Sequence, residues 1–262
     1  MIPQLAIKQW QASFPWQKDY QIEQDLIICR AICALFNDEY LSKHLAFRGG
    51  TSFNKLYLHP QPRYSEDIDL VQIIAEPIKE TIDKIREVLS FLGEPKIKQK
   101  AHNNTLIFRF NSEIPPIIPI RLKVEINTRE HFHVLELIKQ NFSIDNQWFS
   151  GSCKVTTYYL EELLGTKTRA LYQRRKGRDL FDLWKALSTQ ILNTENIIRC
   201  YREYIGFVVD NPPTQREYLL NMEQKIGDEE FLGDTEMLLH PDEKYNPLEA
   251  WEFVRSQLIE KL

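Results

Sequence analysis

Between Phe47 and Val71 the chain reads FRGGTSFNKLYLHPQPRYSEDIDLV, and no other stretch constrains the fold as tightly. Asp67-Ile68-Asp69-Leu70-Val71 alternates polar and apolar residues. With the two-residue period of a β-strand, Asp67 and Asp69 point to one face and Ile68 and Leu70 to the other. Upstream, Gly49-Gly50 carries no Cβ to keep backbone N–H groups away from an anion. Thr51-Ser52-Phe53-Asn54-Lys55 reads as the first turn of a helix, whose N-terminus favours negative charge. Two carboxylates on one strand face repel each other unless a cation lies between them, and a hard ion such as Mg²⁺ or Mn²⁺ suits oxygen donors. An isolated Asp-x-Asp would signify only a solvated strand face. Joined to the glycine turn, it points instead to a nucleoside triphosphate held with its metal ions.

The wider chain sets bounds on this reading. With 262 residues, 43% hydrophobic and 27% charged, it has the composition of a globular protein of one large or two modest domains. No apolar run approaches the ~20 residues of a membrane span. Met1-Ile2-Pro3-Gln4 carries no signal-peptide pattern, so a cytoplasmic location is expected. Cys29, Cys33, Cys153 and Cys200 contain no C-x-x-C pair, which fits free core thiols rather than a zinc site.

Residues 19–38 have the apolar spacing of an amphipathic helix, with Ile22, Leu26, Cys29, Cys33 and Phe36 on one side. A second helix is expected over 77–92, closed by Gly93. Thr105–Phe110 and Arg121–Ile126 read as strands of a loose hairpin joined through the Pro-rich 114–119 link. From Thr157 onward the pattern is helical, with Thr157 as a cap. The expected organisation is therefore an α/β domain over 1–155 and a helical bundle over 156–262.

On the strand 121–126, Lys123, Glu125 and Asn127 share the polar face. If this strand lies beside Asp67–Leu70, Glu125 becomes a third metal-site carboxylate; an ion pair with Lys123 or Arg109 is the plainer role. In the bundle, Asp179 and Asp182 stand three residues apart on one helix face. The net charge is −4, yet Gly165–Arg178 holds six cations and no acid, Arg174, Arg175, Lys176 and Arg178 among them. These four could meet an RNA backbone, or form a solvated basic loop. His131-x-His133 is too common a spacing to carry a metal assignment.

The motifs resemble those of the nucleotidyltransferase superfamily, and more narrowly the AbiEii/AbiGii toxin family (the DUF1814 group, which includes the MenT-type toxins). The matching residues are Gly49, Gly50, Thr51, Ser52 and Lys55, then Arg63, Ser65, Glu66, Asp67, Ile68, Asp69 and Leu70. The sixteen residues between Gly50 and Asp67, with Pro60 and Pro62 among them, favour the toxin branch. Ile22-Glu23-Gln24-Asp25 and Lys176-Gly177-Arg178-Asp179 fit it as well.

The resemblance implies a nucleotidyltransferase-fold α/β (α+β) domain with a mixed sheet, followed by a C-terminal helical bundle that contributes Lys167 and Asp179 to the site. It implies Mg²⁺-dependent transfer of NMP from an NTP, with Asp67, Asp69 and Glu125 on the metal. Gly49, Gly50, Thr51, Ser52, Lys55, Arg63 and Ser65 would hold the nucleotide, and Lys167 its phosphates. It further implies a tRNA 3′ end as acceptor, a type IV-like toxin role and a cognate antitoxin. Two alternatives remain open: transfer to a protein or small molecule, and a nucleotide-binding interaction module without turnover.

Overall fold

Alternation of buried and half-buried residues along Asp67–Gln72 produces the central strand of the sheet. The structure, a computed structural model, describes residues 2–262; Met1, the first residue of the expected α/β domain, lies outside it. The strands are β1 (Leu45–Arg48), β2 (Asp67–Gln72), β3 (Lys96–Lys100), β4 (Asn103–Asn111), β5 (Pro119–Asn127), β6 (Leu137–Ile144) and β7 (Gly151–Tyr158). They form one mixed seven-stranded sheet in the order β3-β4-β5-β2-β1-β7-β6. Parallel pairing joins β2 to β5 and β1 to β7, and the other neighbours are antiparallel.

The helices are α1 (Gln4–Ser13), α2 (Asp19–Asn37), α3 (Leu41–His44), α4 (Gly49–Leu56), α5 (Lys79–Val88), α6 (Leu160–Gln173), α7 (Gly177–Thr189), α8 (Thr194–Val208), α9 (Gln215–Ile226), α10 (Glu229–Gly233) and α11 (Pro247–Gln257). The chain divides into two compact units. One comprises the residues up to His133 together with Leu137–Tyr158; the other comprises Val134–Glu136 and Tyr159–Leu262.

In the first unit, α2 packs on β5, β6 and β7. Ile22, Leu26, Cys29, Cys33 and Phe36 are all buried, as the helical spacing requires. The four cysteines are free and buried. Ile68 and Leu70 are almost wholly buried. Each contributes about 1.5–3 kcal/mol by leaving water, and a one-residue slip of β2 would drive both aspartates into that core. Register and charge placement are thus one constraint.

Polar residues of α2 hold this frame together. The Glu23 carboxylate accepts the N–H groups of Glu113 and Ile114 at 2.7 and 3.1 Å, fixing the Pro-rich link between β4 and β5. Burial raises the Glu23 pKa, and the Ile114 N–H works against that rise. Gln24 donates to the carbonyls of Glu66 and Arg121, just before β2 and within β5. The expected hairpin of Thr105–Phe110 with Arg121–Ile126 is present as β4 and β5.

The structure departs from expectation at two strands, β3 and β7, and at one cap. β3 is wholly exposed and has no apolar stripe, whereas Thr156, Thr157 and Tyr158 in β7 are all buried, which erases alternation there. Thr157 does not cap a helix. It lies in β7, where its hydroxyl donates to the Phe47 carbonyl at 2.7 Å and ties β7 to β1. Helix α6 begins only at Leu160 and has no side-chain cap.

In the second unit, the buried Glu162 carboxylate accepts the N–H groups of Val134 and Leu135, both at 2.8 Å, and the Tyr204 hydroxyl at 2.7 Å. This carboxylate anchors the short 134–136 segment to the bundle. Among the described residues no helix is long and apolar enough to cross a membrane.

Candidate active site

The strand–helix junction at Arg48–Gly49 and the start of β2 form the site. Gly49 has φ +80°, a backbone region disfavoured for residues with a Cβ. A Cβ built there would lie 2.0 Å from Asp69 Oδ2. Glycine therefore allows both the turn and the approach of Asp69 to the N-terminus of α4. No side chain caps α4.

On the same sheet face, β2 lies beside β5 with Asp67 opposite Lys123 and Asp69 opposite Glu125. Lys123 Nζ is 3.2 Å from Asp67 Oδ2. Glu125 Oε2 accepts from Asn103 Nδ2 at 3.4 Å. All three carboxylates are half-buried, facing away from the core that holds Ile68, Leu70, Val124 and Ile126.

Glu125 thus lies beside the pair, on the strand expected from its sequence pattern. The three carboxylates are not gathered around one point, however. Among the described residues no three His, Cys, Asp or Glu side chains are grouped to hold a metal ion. Like charges without a cation separate or find other partners, as Asp67 does with Lys123. The donors on this face are carboxylate oxygens, a set whose chemistry fits a hard divalent cation better than a soft one.

Several residues expected to touch nucleotide are committed elsewhere. Lys55 is buried, with Nζ 2.6 Å from Asp25 Oδ1, while Trp10 Nε1 donates to Asp25 Oδ2 at 2.9 Å. Burial works to lower the Lys55 pKa, but the Asp25 carboxylate overrides it and the net shift is upward. The lysine therefore fastens α4 to α2 in the interior. Arg63 is also buried, and its guanidinium donates to the Tyr64 carbonyl at 2.9 Å.

The hydroxyls of Thr51 and Ser52 are buried as well. Thr51 Oγ1 bonds Ser65 Oγ at 2.7 Å and the Asp67 carbonyl. Ser52 Oγ reaches the Phe47 carbonyl at 3.3 Å and Thr157 Oγ1 at 3.2 Å. These bonds pin the turn to the strands.

Sequence reasoning missed Arg48 and Glu130. Arg48 stands opposite Asp69 across β1–β2 and forms an ion pair with the buried Glu130 carboxylate. Asn127 Oδ1 shapes that loop by accepting the N–H groups of Arg129 and Glu130, both at 2.9 Å. The position of Arg48 just before the diglycine was a usable signal; the distant Glu130 had none. His131 Nδ1 lies 2.8 Å from the Gln72 carbonyl in a loop, not on a strand.

In the second unit, Lys167 is buried between two carboxylates, 3.0 Å from Asp179 Oδ1 and 2.6 Å from Asp182 Oδ2. Arg174 donates twice to Asp179, at 2.6 and 2.8 Å. Burial works to raise the Asp179 pKa, but Lys167 and Arg174 hold it well below the usual carboxylate range. This network joins α6 to α7 and neutralises the Lys167 charge locally.

The basic run is neutralised in the same way. Arg175 pairs with Asp228 at 3.0 Å, Lys176 with Asp234 at 3.5 Å, and Arg178 with Asp234 at 4.0 Å. The acidic segment near the C-terminus folds onto the basic one. Chain distance had concealed their proximity, so Gly165–Arg178 is not a set of unpaired cations.

Comparisons with known proteins agree with this fold. The family model described as "Nucleotidyl transferase AbiEii toxin, Type IV TA system" matches residues 30–255. MenT4, the nucleotidyltransferase toxin Rv2826c from Mycobacterium tuberculosis H37Rv, is similar in fold, with a TM-score of 0.57 at 13% identity over 100% of this chain and 98% of that one. JHP933 from Helicobacter pylori is similar with a TM-score of 0.54 at 16% identity, covering 93% of each chain. A putative nucleotidyltransferase from H. pylori gives the same TM-score and identity over 93% of this chain and 96% of the other. A search of curated proteins gives no match. Carrying the glycine turn and aspartate pair in a mixed sheet, and matched by the family model over most of its length, the chain belongs to the AbiEii family of nucleotidyltransferase toxins.

Proposed function

We propose that this enzyme transfers a nucleoside monophosphate from an NTP to the 3′-terminal hydroxyl of a tRNA, in a type IV-like toxin–antitoxin system with a cognate antitoxin. The observation that carries the reading is the contact of Asp69 with the uncapped, Cβ-free start of α4, with Asp67 on the same strand face. It brings a phosphate-binding turn and a cation-binding pair to one point.

In this reading Asp67 and Asp69 hold Mg²⁺ or Mn²⁺. When bound, the cation polarises the acceptor hydroxyl and offsets the charge of the triphosphate. The Gly49-Gly50 backbone at the α4 N-terminus donates to phosphate oxygens. Glu125 accepts the proton of the attacking hydroxyl, a role suited to a carboxylate beside the pair. The acceptor oxygen bonds to the α-phosphorus as the bond to the bridging oxygen breaks, and pyrophosphate leaves.

Lys55 and the Thr51, Ser52 and Ser65 hydroxyls keep the turn in place, while Lys167, Asp179 and Asp182 brace the bundle. Arg48 and Glu130 fix the loop beside Asp69. Their ionic and hydrogen-bonded partners support these positioning roles.

The test is incubation of the purified protein with α-labelled NTP, Mg²⁺, tRNA and cell lysate. Label at the RNA 3′ end supports the proposal. Label in protein or a small molecule moves the acceptor to another class, and nucleotide binding without any labelled product removes catalysis.

A further inference from the structure

The register of the sheet carries the Asp67/Asp69 face outward to its edge. From β2 it crosses β5 at Arg121, Lys123 and Glu125, then β4 at Arg109, the buried Ile107 and Thr105, and ends on β3 at Lys96 and Lys98. Lys100 continues the same row, opposite Asn103. Side chains directly opposite one another across paired strands share a face.

Lys123 is held by Asp67, but among the described residues Lys96, Lys98, Lys100, Arg109 and Arg121 have no ion pair. All five are exposed. The reverse side of these strands is conventional core, with Leu106, Phe108, Leu122 and Val124 buried.

We infer that this face is a binding track for the phosphate backbone of RNA, running from the Asp pair to the sheet edge. The inference rests on the proposed RNA acceptor. Two features support it. First, Arg109 and Arg121 lie directly opposite each other on β4 and β5, two positions beyond the last residues paired with β3 and β2. Like charges in that position destabilise a sheet, and no carboxylate offsets them. Second, the three β3 lysines all fall on the Asp face. Lysines do protect edge strands from pairing with other chains, but that need does not account for the arginine pair on β4 and β5. The track spans three strand spacings, ~14 Å, and its lysines repeat every ~7 Å along β3. Such an extended, unneutralised row matches a repeating polyanion.

The full-length protein is tested with a fluorescent oligoribonucleotide bearing a free 3′ hydroxyl, by anisotropy across a salt series. Five single-strand phosphate contacts predict a log–log salt slope of roughly −3.5. The R109Q/R121Q double variant should reduce that slope by ~1.4 and weaken binding about tenfold, and K96Q/K98Q/K100Q should reduce it by ~2. Removing the arginine pair should not lower the melting temperature, since it relieves a repulsion; the lysine variant carries the test if it does.

Wild-type affinity and slope in both variants would overturn the track, as would absence of RNA binding by the wild type. Labelled-NTP transfer separates this result from the proposed function. Transfer to RNA with binding unchanged in both variants removes the track and leaves the function. Binding lost in the variants while label enters only protein removes the RNA acceptor and leaves the track.

Discussion

Replacing Gly49 by alanine challenges the site at its tightest point. The new Cβ would stand 2.0 Å from Asp69 Oδ2, 2.7 Å from its Cγ and 2.8 Å from its Cβ, so the carboxylate and the backbone that carries it must shift. The backbone there has φ +80°, a conformation that costs a non-glycine residue about 1–2 kcal/mol. At roughly 2–4 °C per kcal/mol, melting should fall by about 2–8 °C. The catalytic effect should be far larger, because a misplacement of about 1 Å can cost about 10²-fold. Gly93 supplies the control, since it has φ +82° with nothing within 4 Å of its ideal Cβ. Pyrophosphate release and thermal melting would be measured on G49A and G93A. G49A should lose at least as much stability as G93A, since Asp69 must also shift, and only G49A should lose about 10²-fold or more in turnover. Equal turnover in the two variants would refute the argument that glycine is required by Asp69.

Other residues give separable outcomes. Lys55→Met strands the buried Asp25 carboxylate and should cost about 3–5 kcal/mol in chemical denaturation, while the KM for NTP of the folded enzyme stays near wild type; a selective rise in KM would return Lys55 to the phosphates. Lys167→Met should destabilise the bundle by a similar ~3–5 kcal/mol, read by the same denaturation series, and wild-type stability would contradict its place between two aspartates. The depressed Asp179 pKa stabilises the fold fully above the ordinary carboxylate value of 3.8, and that contribution is lost as pH falls below it. Circular dichroism from about pH 6 to about pH 2 should therefore show stability falling in the lower part of that range, with a shallower dependence in D179N; identical slopes would count against the assignment.

The parts of the fold legible in the sequence were those with local periodicity. Helix α2 and strands β2, β4 and β5 each carry an apolar stripe matched by burial. Strands β3 and β7 lack one, the first because it is an exposed edge and the second because both its faces are covered near its end. The Asp pair was readable because charge and period coincide in five residues. The burial of Lys55 and Arg63 was not legible because a motif gives residue identity but not solvent exposure; the Asp25 partner lies 30 positions away in the chain from Lys55. The ion pairs of the basic run were hidden for the same reason, as Asp228 and Asp234 approach it only through the folding of the bundle. The arginine pair on the sheet face could be recognised only once strand register was known.

The central claim is that Asp67 and Asp69 direct attack on the α-phosphorus of a bound NTP. The most direct measurement compares wild type and Asp69→Asn with α-labelled and γ-labelled NTP in the presence of Mg²⁺ and RNA. The account predicts that wild type places only the α label in the acceptor, releasing one pyrophosphate per transfer, while Asp69→Asn melts like wild type and transfers neither. Transfer of the γ label, or full α-label transfer by Asp69→Asn, would contradict it.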